Sequence, residues 1–278
     1  MKPSRPQKSD RRPAATKTSR TPAVRSARGD HRHQRKAEEK FHGLHACEAL
    51  FKRRPQDIIR VYLTQPRRQR LGPLVDFCVR ERKGFQIVAD DNLQRLTGSL
   101  HHEGVVVLAK AIHRWDLAAL LREREAGRLA GPLLYLDGVQ NPHNLGSILR
   151  TAAHFGVGAI LGAQHDLPPL SAAAVRVAEG GAEHVAVCDL AEPAADLRRL
   201  KKSGFQIVVT SSRGGEPIQS VKLPPKDRAV LVLGSEGQGV SRPIDALADL
   251  RVRIPGTGVV ESLNVSVACG IVLAEACR

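Results

Sequence analysis

The sequence has few aromatic side chains, and this limits how it could recognise a ligand. Phenylalanine, tryptophan and tyrosine together make up 3% of the 278 residues. Proteins that bind single-stranded nucleic acid without sequence preference stack successive bases on such rings. Stacking on these rings is therefore not the main means of recognition, and contacts to phosphates or to the shape of a folded polymer are favoured instead.

The few cysteines show neither a metal-binding pattern nor a disulfide framework. Five are present, at positions 47, 78, 188, 269 and 277, and no two of them form a CxxC pair. An odd number of scattered cysteines is typical of a protein from a reducing compartment. The sequence predicts no zinc site, and we expect no metal cofactor.

Long apolar runs are also lacking. No stretch approaches the length needed to span a bilayer, and the N-terminus has no apolar region of the kind found in secretory signals. An Arg-rich, acid-poor start could instead be a mitochondrial presequence. Prolines at 3, 6, 13 and 22 disfavour the amphipathic helix that such a signal needs. We therefore expect a cytoplasmic protein.

Acidic residues are in the minority, and the excess of basic ones is concentrated at the N-terminus. Lys and Arg number 43 against 28 Asp and Glu, for a formal net charge of +15. Residues 1–40 hold 13 basic and four acidic side chains and almost no large apolar ones. Such a segment buries too little surface to offset the entropy of ordering it, so we predict a disordered basic arm over 1–40. The arm favours polyanion binding through counterion release, with a solubility or localisation tail as the alternative.

Beyond the arm, hydrophobic patterns divide the chain into two regular parts and a linker. Residues 41–110 alternate helical and strand patterns and predict a small α/β domain, and 111–130 predict a charged linker helix. In 131–278, six apolar runs alternate with helical patterns, which predicts a parallel sheet with helices on both faces. The predicted strands lie near 133–136, 157–161, 184–188, 205–210, 230–233 and 251–254. No P-loop or dinucleotide fingerprint occurs, so a Rossmann cofactor site is disfavoured.

Three segments join an apolar strand to a loop of small and polar residues. They are PLLYLDGVQNPHNLGSILRTAAHFGV (132–157), LVLGSEGQGVS (231–241) and RIPGTGVVESLNVSVACGIVLAEACR (253–278). Loops at the carboxyl ends of parallel strands are where α/β proteins bind ligands. These three loops are therefore the candidates for a functional site.

The polar residues of these loops have structural as well as functional explanations. Asn144 stands where a helix N-cap is expected, with Gly156 as the C-terminal cap, and Ser262 lies near the start of the last helix. Glu236 is the only charge among glycines that permit tight turns. Arg150 follows Asn144 by close to two helical turns, and a solvated surface charge would explain it. The last helix is expected to pack through its apolar positions, Val265, Val267, Ile271, Val272 and Ala276.

Taken together, the three segments resemble the SpoU/TrmH family of RNA ribose 2′-O-methyltransferases, within the SPOUT superfamily. NPHNLGSILRTA is similar to the first motif of that family, LVLGSEGQGVS to the second and IPGTGVVESLNVSVACGI to the third, in the family's order. One position departs from the pattern, because Gly256 stands where many members have Met. The segments FHGLHACEALFKR (41–53) and HHEGVVVLAK (101–110) also resemble the small RNA-binding domain that precedes the catalytic domain in many members.

The resemblance implies a fold, a reaction and partners. Residues 131–278 would form a SPOUT domain whose C-terminal segment is tied into a deep trefoil knot. The reaction would be S-adenosylmethionine-dependent 2′-O-methylation of a ribose in structured RNA. Ribosomal RNA is favoured over tRNA, because minimal tRNA members often lack the small N-terminal domain. The family is typically homodimeric.

The resemblance also implies roles for particular residues. Arg150 would activate the ribose hydroxyl, and we expect it to stabilise the developing alkoxide, because a guanidinium stays protonated in proteins. Glu236 would orient Arg150 or its own loop, and Asn144 would position the first motif and the substrate. Ser262 and Asn264 would serve in binding and orientation. The candidates for cofactor binding are Thr210, Gly234, Gly237, Ile254 and Leu263.

Two alternatives stay open at this point. A non-catalytic RNA-binding or ribosome-assembly factor on the same scaffold would keep the basic arm and the small domain while losing the cofactor or the active residues. Methylation of a base atom occurs elsewhere in the superfamily. The joint presence of Asn144, Arg150 and Glu236 with the Ser-Leu-Asn core at 262–264 favours the ribose methyltransferase.

Overall fold

The computed structural model describes residue 1, residues 38–212 and residues 214–278. Residues 2–37 of the predicted disordered arm lie outside the described residues. The end of the arm was placed wrongly, because strand β1 begins at Glu38 and runs to His42. Its backbone pairs antiparallel with residues 106–110. The unpaired groups of a sheet edge there accept a further strand, despite the three charged residues at 38–40.

A four-stranded mixed sheet forms the N-terminal part of the described chain. Its further strands are β2 (Ile58–Leu63), β3 (Gly84–Ile87) and β4 (Val105–Lys110). Their order is β1-β4-β2-β3, with only the β2–β3 pair parallel. The helices are α1 (Leu44–Arg53), α2 (Gly72–Arg80) and α3 (Asp90–Thr97). These elements match the predicted pattern of 41–110 to within a few residues, whereas β1 was missed.

A second sheet of seven strands occupies the rest of the chain. The strands are β5 (Leu133–Asp137), β6 (Ala159–Ala163), β7 (Ala186–Leu190), β8 (Gln206–Thr210), β9 (Glu216–Pro217), β10 (Ala229–Gly234) and β11 (Leu250–Arg253). Their order is β7-β6-β5-β10-β8-β11-β9, and every neighbouring pair is parallel. The predicted parallel sheet is confirmed. The two-residue β9 was missed.

Helices cover both faces of this sheet, as predicted. They are α4 (Leu117–Glu125), α5 (Pro142–Phe155), α6 (Ala172–Val177), α7 (Pro193–Lys202), α8 (Arg242–Asp245) and α9 (Val265–Ala276). Alternate strand residues point to opposite faces. Leu134 and Leu136 pack with α5, α6 and α9, whereas Leu133 and Tyr135 pack with α4, α7 and α8. The division into domains at 41–110, 111–130 and 131–278 stays a prediction, with one sheet on either side of the linker.

Helix α5 begins three residues earlier than predicted from Asn144. Its N-cap is Asn141, whose side chain accepts a hydrogen bond from the backbone N–H of His143 at 2.8 Å. Pro142 has no N–H to leave unpaired and suits the first helical position, so the cap falls on the residue before it. The predicted C-terminal end is confirmed at Gly156, which has φ 70°.

Helix α9 is capped by Asn264, whose side chain accepts from the N–H of Ser266 at 2.9 Å. Ser262 lies two residues before this cap, so the capping role considered for it was wrong. The predicted packing face is also partly wrong, since Val267 is 52% exposed while Val265 and Val272 are buried. None of the helices in the described residues is long and apolar enough to cross a membrane.

Candidate active site

The candidate site lies at the carboxyl edge of the large sheet. From β5 the chain builds the sheet outward on one side, through β6 to β7. The later strands lie on the other side of β5, and β10 is the strand next to β5 there. Ligands of open α/β sheets bind at such a switch point. The loop after β10 is attached to the end of β5, because the N–H of Ser241 donates to the carboxylate of Asp137 at 2.7 Å. The first and second motifs thus meet at this edge.

Side chains from all three motifs form one hydrogen-bonded group, which we call the motif cluster: Asn144, Glu236 and Asn264. Glu236 Oε1 accepts from the side-chain amide nitrogens of Asn144 at 3.1 Å and Asn264 at 2.8 Å. The same oxygen accepts from the backbone N–H of Val265 at 3.3 Å. The amide of Asn264 also donates to Asn144 Oδ1 at 3.2 Å. One carboxylate oxygen therefore ties the three loops together.

A tight turn at 234–239 presents the carboxylate of this cluster. The N–H of Gly239 donates to the carbonyl of Ser235 at 2.9 Å, and Gly239 has φ 68°. The two backbone segments come so close that a Cβ on Gly234 would overlap the backbone of Gly239. Only glycine at 234 permits this approach. The glycine at 234 is therefore needed for the tight turn, and the same turn presents the Glu236 carboxylate to the cluster.

Arg150 takes no part in the hydrogen bonds of the motif cluster. It follows Asn144 by six residues on α5, which is roughly 9 Å along the helix axis and about 240° around it. Its side chain is exposed and makes no hydrogen bond or ion pair with another described residue. Glu236 accepts from two side-chain amides and a backbone N–H, and it makes no hydrogen bond to Arg150. The structure brings three of the five predicted catalytic residues together and leaves Arg150 and Ser262 outside.

The side chain of Arg150 lines a cavity of ≈ 550 Å³, which we call the Arg150 pocket. Its other charged or ring-bearing lining residues are His45, His154, Glu179 and His184. Sequence reasoning missed all four of them. They come from α1, α5 and the turn that follows α6, and no motif or spacing links these segments.

The candidate cofactor residues lie close to the same sheet edge as the motif cluster. Thr210 and Gly234 end β8 and β10, and Ile254 follows β11, so the three stand at the ends of neighbouring strands. The hydroxyl of Thr210 donates to the carbonyl of Val232 at 2.9 Å. Gly237 faces open space, since a Cβ there would meet nothing within 4 Å. The backbone of Leu263 makes no hydrogen bond to another described residue.

Neither a thiol nor a metal centre is indicated near this edge. Burial raises the pKa of Cys269, in the helix that Asn264 caps, to about 12. Burial likewise raises the pKa of Cys188, again to about 12. Only the thiolate is a nucleophile, so both thiols stay protonated and unreactive at neutral pH. Among the described residues, no group of three or more His, Cys, Asp or Glu is placed to hold a metal ion.

Two family models match the chain. The model of the SpoU rRNA Methylase family matches residues 131–274, and the model of RNA 2′-O ribose methyltransferase substrate binding matches residues 42–115. The chain belongs to the SpoU rRNA methylase family. The resemblance inferred from the three motifs is confirmed. The predicted activity, an RNA 2′-O-methyltransferase, and the predicted cofactor, S-adenosylmethionine, are confirmed with it.

Individual relatives of this SpoU-family chain cover most of its length. The uncharacterized tRNA/rRNA methyltransferase YfiF of Escherichia coli O157:H7 is 37% identical over 88% of this chain and 69% of its own. The 23S rRNA (guanosine-2′-O-)-methyltransferase RlmB of Shewanella oneidensis is 36% identical over 87% of this chain and 98% of its own. The solved SpoU methyltransferase AviRb of Streptomyces viridochromogenes, in complex with AdoMet, has a TM-score of 0.69. It is 21% identical over 90% of this chain and 93% of its own, which shows a common fold.

The residues at the carboxyl edge fit S-adenosylmethionine. Its adenine has apolar faces and hydrogen-bonding edges, and such ligands pair with free backbone groups beside apolar side chains. The backbone of Leu263 has no hydrogen-bond partner among the described residues, and its side chain is 42% exposed. Val259, in the same loop, is 87% exposed. Gly256, where many members have Met, also faces open space, so the departure from the motif does not obstruct the edge.

Proposed function

We propose that this protein methylates the 2′-hydroxyl of a ribose in ribosomal RNA. The observation that carries the proposal is the motif cluster, in which Glu236 joins the first and third motifs through Asn144 and Asn264. A matching substrate-binding domain over residues 42–115 supports RNA as the substrate. The relative from Shewanella oneidensis is named for a guanosine of 23S rRNA, so we propose that large-subunit rRNA is the substrate class.

Cofactor binding is assigned to the loops that the cluster ties together. Backbone groups at Gly234, Ile254 and Leu263 would hold the cofactor, with Gly237 leaving room for it and Thr210 beside it. When bound, S-adenosylmethionine supplies the electrophilic methyl group. The cluster contributes by fixing the distance between these loops, because in-line transfer requires the reacting atoms to be held in a narrow range of positions.

Arg150 is the residue that we assign to the reacting hydroxyl. Its guanidinium stabilises the negative charge that develops on the ribose oxygen, while the fork of N–H groups grips an adjacent phosphate. Asn264 and Asn144 hold the loops, and the exposed hydroxyl of Ser262 is free to bind substrate. We assign the ribose proton to solvent and the Glu236 carboxylate to holding the three loops, through the bonds that its Oε1 accepts.

A homodimer brings these parts together. Arg150 and Asn144 lie on different faces of α5, so a cofactor held beside the motif cluster of one protomer would lie away from that protomer's own arginine. Arg150 of one protomer therefore completes the site of its partner. The exposed apolar side chain of Val267 on α9 provides surface for such a contact. A reaction on rRNA takes place where ribosomes are made, so we also propose a cytoplasmic location.

Mapping of ribose 2′-O-methylation in total RNA, with and without the protein, tests the proposal. A single rRNA site should disappear in its absence and return with the wild-type chain but not with Arg150→Ala. Loss of a tRNA site instead would change the substrate class. No lost site, together with no binding of S-adenosylmethionine by the purified protein, would favour the assembly-factor alternative.

A further inference from the structure

The Arg150 pocket is built where three segments of the chain meet. Helix α1 contributes His45, α5 contributes Arg150 and His154, and the turn after α6 contributes Glu179 and His184. Two glycines allow this turn to approach both helices. A Cβ on Gly181 would lie 2.6 Å from the carbonyl oxygen of Leu149 in α5, and one on Gly180 would lie 2.8 Å from the Cβ of Ala49 in α1.

The polar groups of the pocket are available to a ligand. The side chains of Arg150, His154 and His184 are exposed and make no hydrogen bond to another described residue. Glu179 lies 4.0 Å from the Nε2 of His45, beyond hydrogen-bond distance. Small apolar residues form the walls between them, at Ala49, Ala153 and Ala178. The pocket therefore offers a ligand a guanidinium, imidazole rings, one carboxylate acceptor and small apolar wall residues.

We propose that the Arg150 pocket holds one unpaired nucleotide of the substrate RNA, next to the nucleotide whose ribose is methylated. The inference rests on the proposed function, because Arg150 both lines the pocket and is assigned to the reacting hydroxyl. The volume of ≈ 550 Å³ is within the range of small-molecule sites. Proteins recognise unpaired RNA bases by stacking them on aromatic rings, histidine included, or on guanidinium planes, and by bonding their edges.

The lining favours a whole nucleotide over a phosphate alone. A site for phosphate alone would collect positive charge, whereas Glu179 places a carboxylate here. A carboxylate accepts from the ring and amino N–H groups of a base, while Arg150 binds the phosphate. His154 and His184 supply stacking surfaces in a chain that has few other aromatic rings.

Binding of single-stranded and paired RNA by the full chain tests the pocket. The probes are a fluorescein-labelled RNA dodecamer of mixed sequence and the same strand in a duplex, with affinities measured by anisotropy at about 0.3 M salt to suppress non-specific attraction. The His154→Ala/His184→Ala variant should bind the single strand about tenfold more weakly, because stacking contributes strongly per base. Its affinity for the duplex should be unchanged. His113→Ala/His165→Ala, at two exposed histidines outside the pocket, should match the wild type on both probes.

The outcomes separate this inference from the proposed function. Equal losses on single strand and duplex, or no loss on either, would overturn the pocket while leaving methylation untouched. A change in the oligomeric mass of the variant by light scattering would show that the pocket receives a second chain, which also overturns it. A selective loss on the single strand, in a wild-type protein that binds no S-adenosylmethionine, would support the pocket and reject the methyltransferase.

Discussion

The two ends of α5 carry polar side chains in opposite situations. Near its start, Asn144 is bonded to Glu236 and Asn264, and those groups are bonded to one another. Toward its end, the exposed side chains of Arg150 and His154 make no hydrogen bond or ion pair in the described part of the chain. Groups that satisfy one another fix the positions of loops, whereas unsatisfied exposed groups can bind a ligand without losing an internal partner. On the proposed function, the start of α5 organises the site and its end supplies contacts to RNA.

Replacing Arg150 should give the largest effect on activity and the smallest on structure. Arg150→Ala should lower kcat by roughly 10²–10³, the usual consequence of removing one group that stabilises developing charge. Affinity for S-adenosylmethionine and the melting temperature should not change, because the side chain is exposed and unbonded. The measurement is transfer of tritiated methyl groups to rRNA from cells lacking the protein. Arg150→Lys keeps the positive charge but lacks the forked guanidinium, so its kcat should lie between those of the wild type and Arg150→Ala.

The result that would break the comparison is a parallel loss of cofactor affinity in Arg150→Ala. Arg150 would then belong to the same working unit as the motif cluster. Calorimetric titration with S-adenosylmethionine distinguishes the cases, since the proposal requires the affinity to stay within twofold of the wild type.

Gly234→Ala, in the turn that presents Glu236, should cause the second-largest loss of activity. The added Cβ overlaps the backbone of Gly239, so the turn that presents Glu236 cannot close. A displaced loop should lower kcat/KM by about 100-fold, because a shift of about 1 Å in positioning groups has effects of that size. Gly72→Ala is the matched control, since a Cβ there meets nothing within 4 Å. Full activity of Gly234→Ala would show that the turn is not needed.

Two substitutions of Glu236 separate positioning from proton transfer. Glu236→Gln retains an oxygen that can occupy the place of Oε1 and keep all three hydrogen bonds, so its kcat/KM should stay within about threefold of the wild type. Glu236→Ala leaves two amides and one N–H without their acceptor, and should lose about tenfold. If Glu236→Gln were as inactive as Arg150→Ala, the carboxylate itself would be required and Glu236 would be the base.

The sequence predicted the large sheet well because its strands are buried on both faces. Such strands are continuous apolar runs, and LVLG or LLYL is recognised without any partner. Strand β1 was missed because three of its five residues are charged, and only pairing with β4 makes it a strand. The start of α5 was misplaced because two Asn residues compete for the cap, and the decisive feature was Pro142 between them. The trefoil knot stays a prediction from the resemblance.

The residues of the site were predictable by motif, whereas their contacts were not. Asn144 and Glu236 are 92 positions apart, and no periodicity indicates that they meet. The separation of Arg150 from the cluster could have been read from helix geometry, since six residues at about 100° each place it on another face. The Arg150 pocket had no readable signal, because its histidines belong to three distant segments and each is individually an ordinary surface residue.

The smallest expected effect concerns His42, which in the described part of the chain is neither hydrogen-bonded through its Nδ1, like the motif cluster, nor exposed, like Arg150. His42 is 3% exposed, and its Nδ1 has no hydrogen-bond partner among the residues that the structure describes. Burial, with Arg176 and His102 nearby, lowers its pKa below the usual 6.5. The unfolded chain therefore binds a proton more readily than the folded one, so stability is full above about pH 6.5 and falls as the pH decreases toward the folded-state pKa.

Melting temperatures of the wild type between about pH 7 and pH 5 should fall by a few degrees more than those of His42→Phe, which cannot be protonated. His113→Phe, at an exposed histidine, should keep the wild-type slope. Parallel slopes for His42→Phe and the wild type would show that the acid-sensitive group lies elsewhere. A flatter slope for His42→Phe alone would identify the buried histidine as the group whose protonation lowers stability, unlike the exposed histidine at 113.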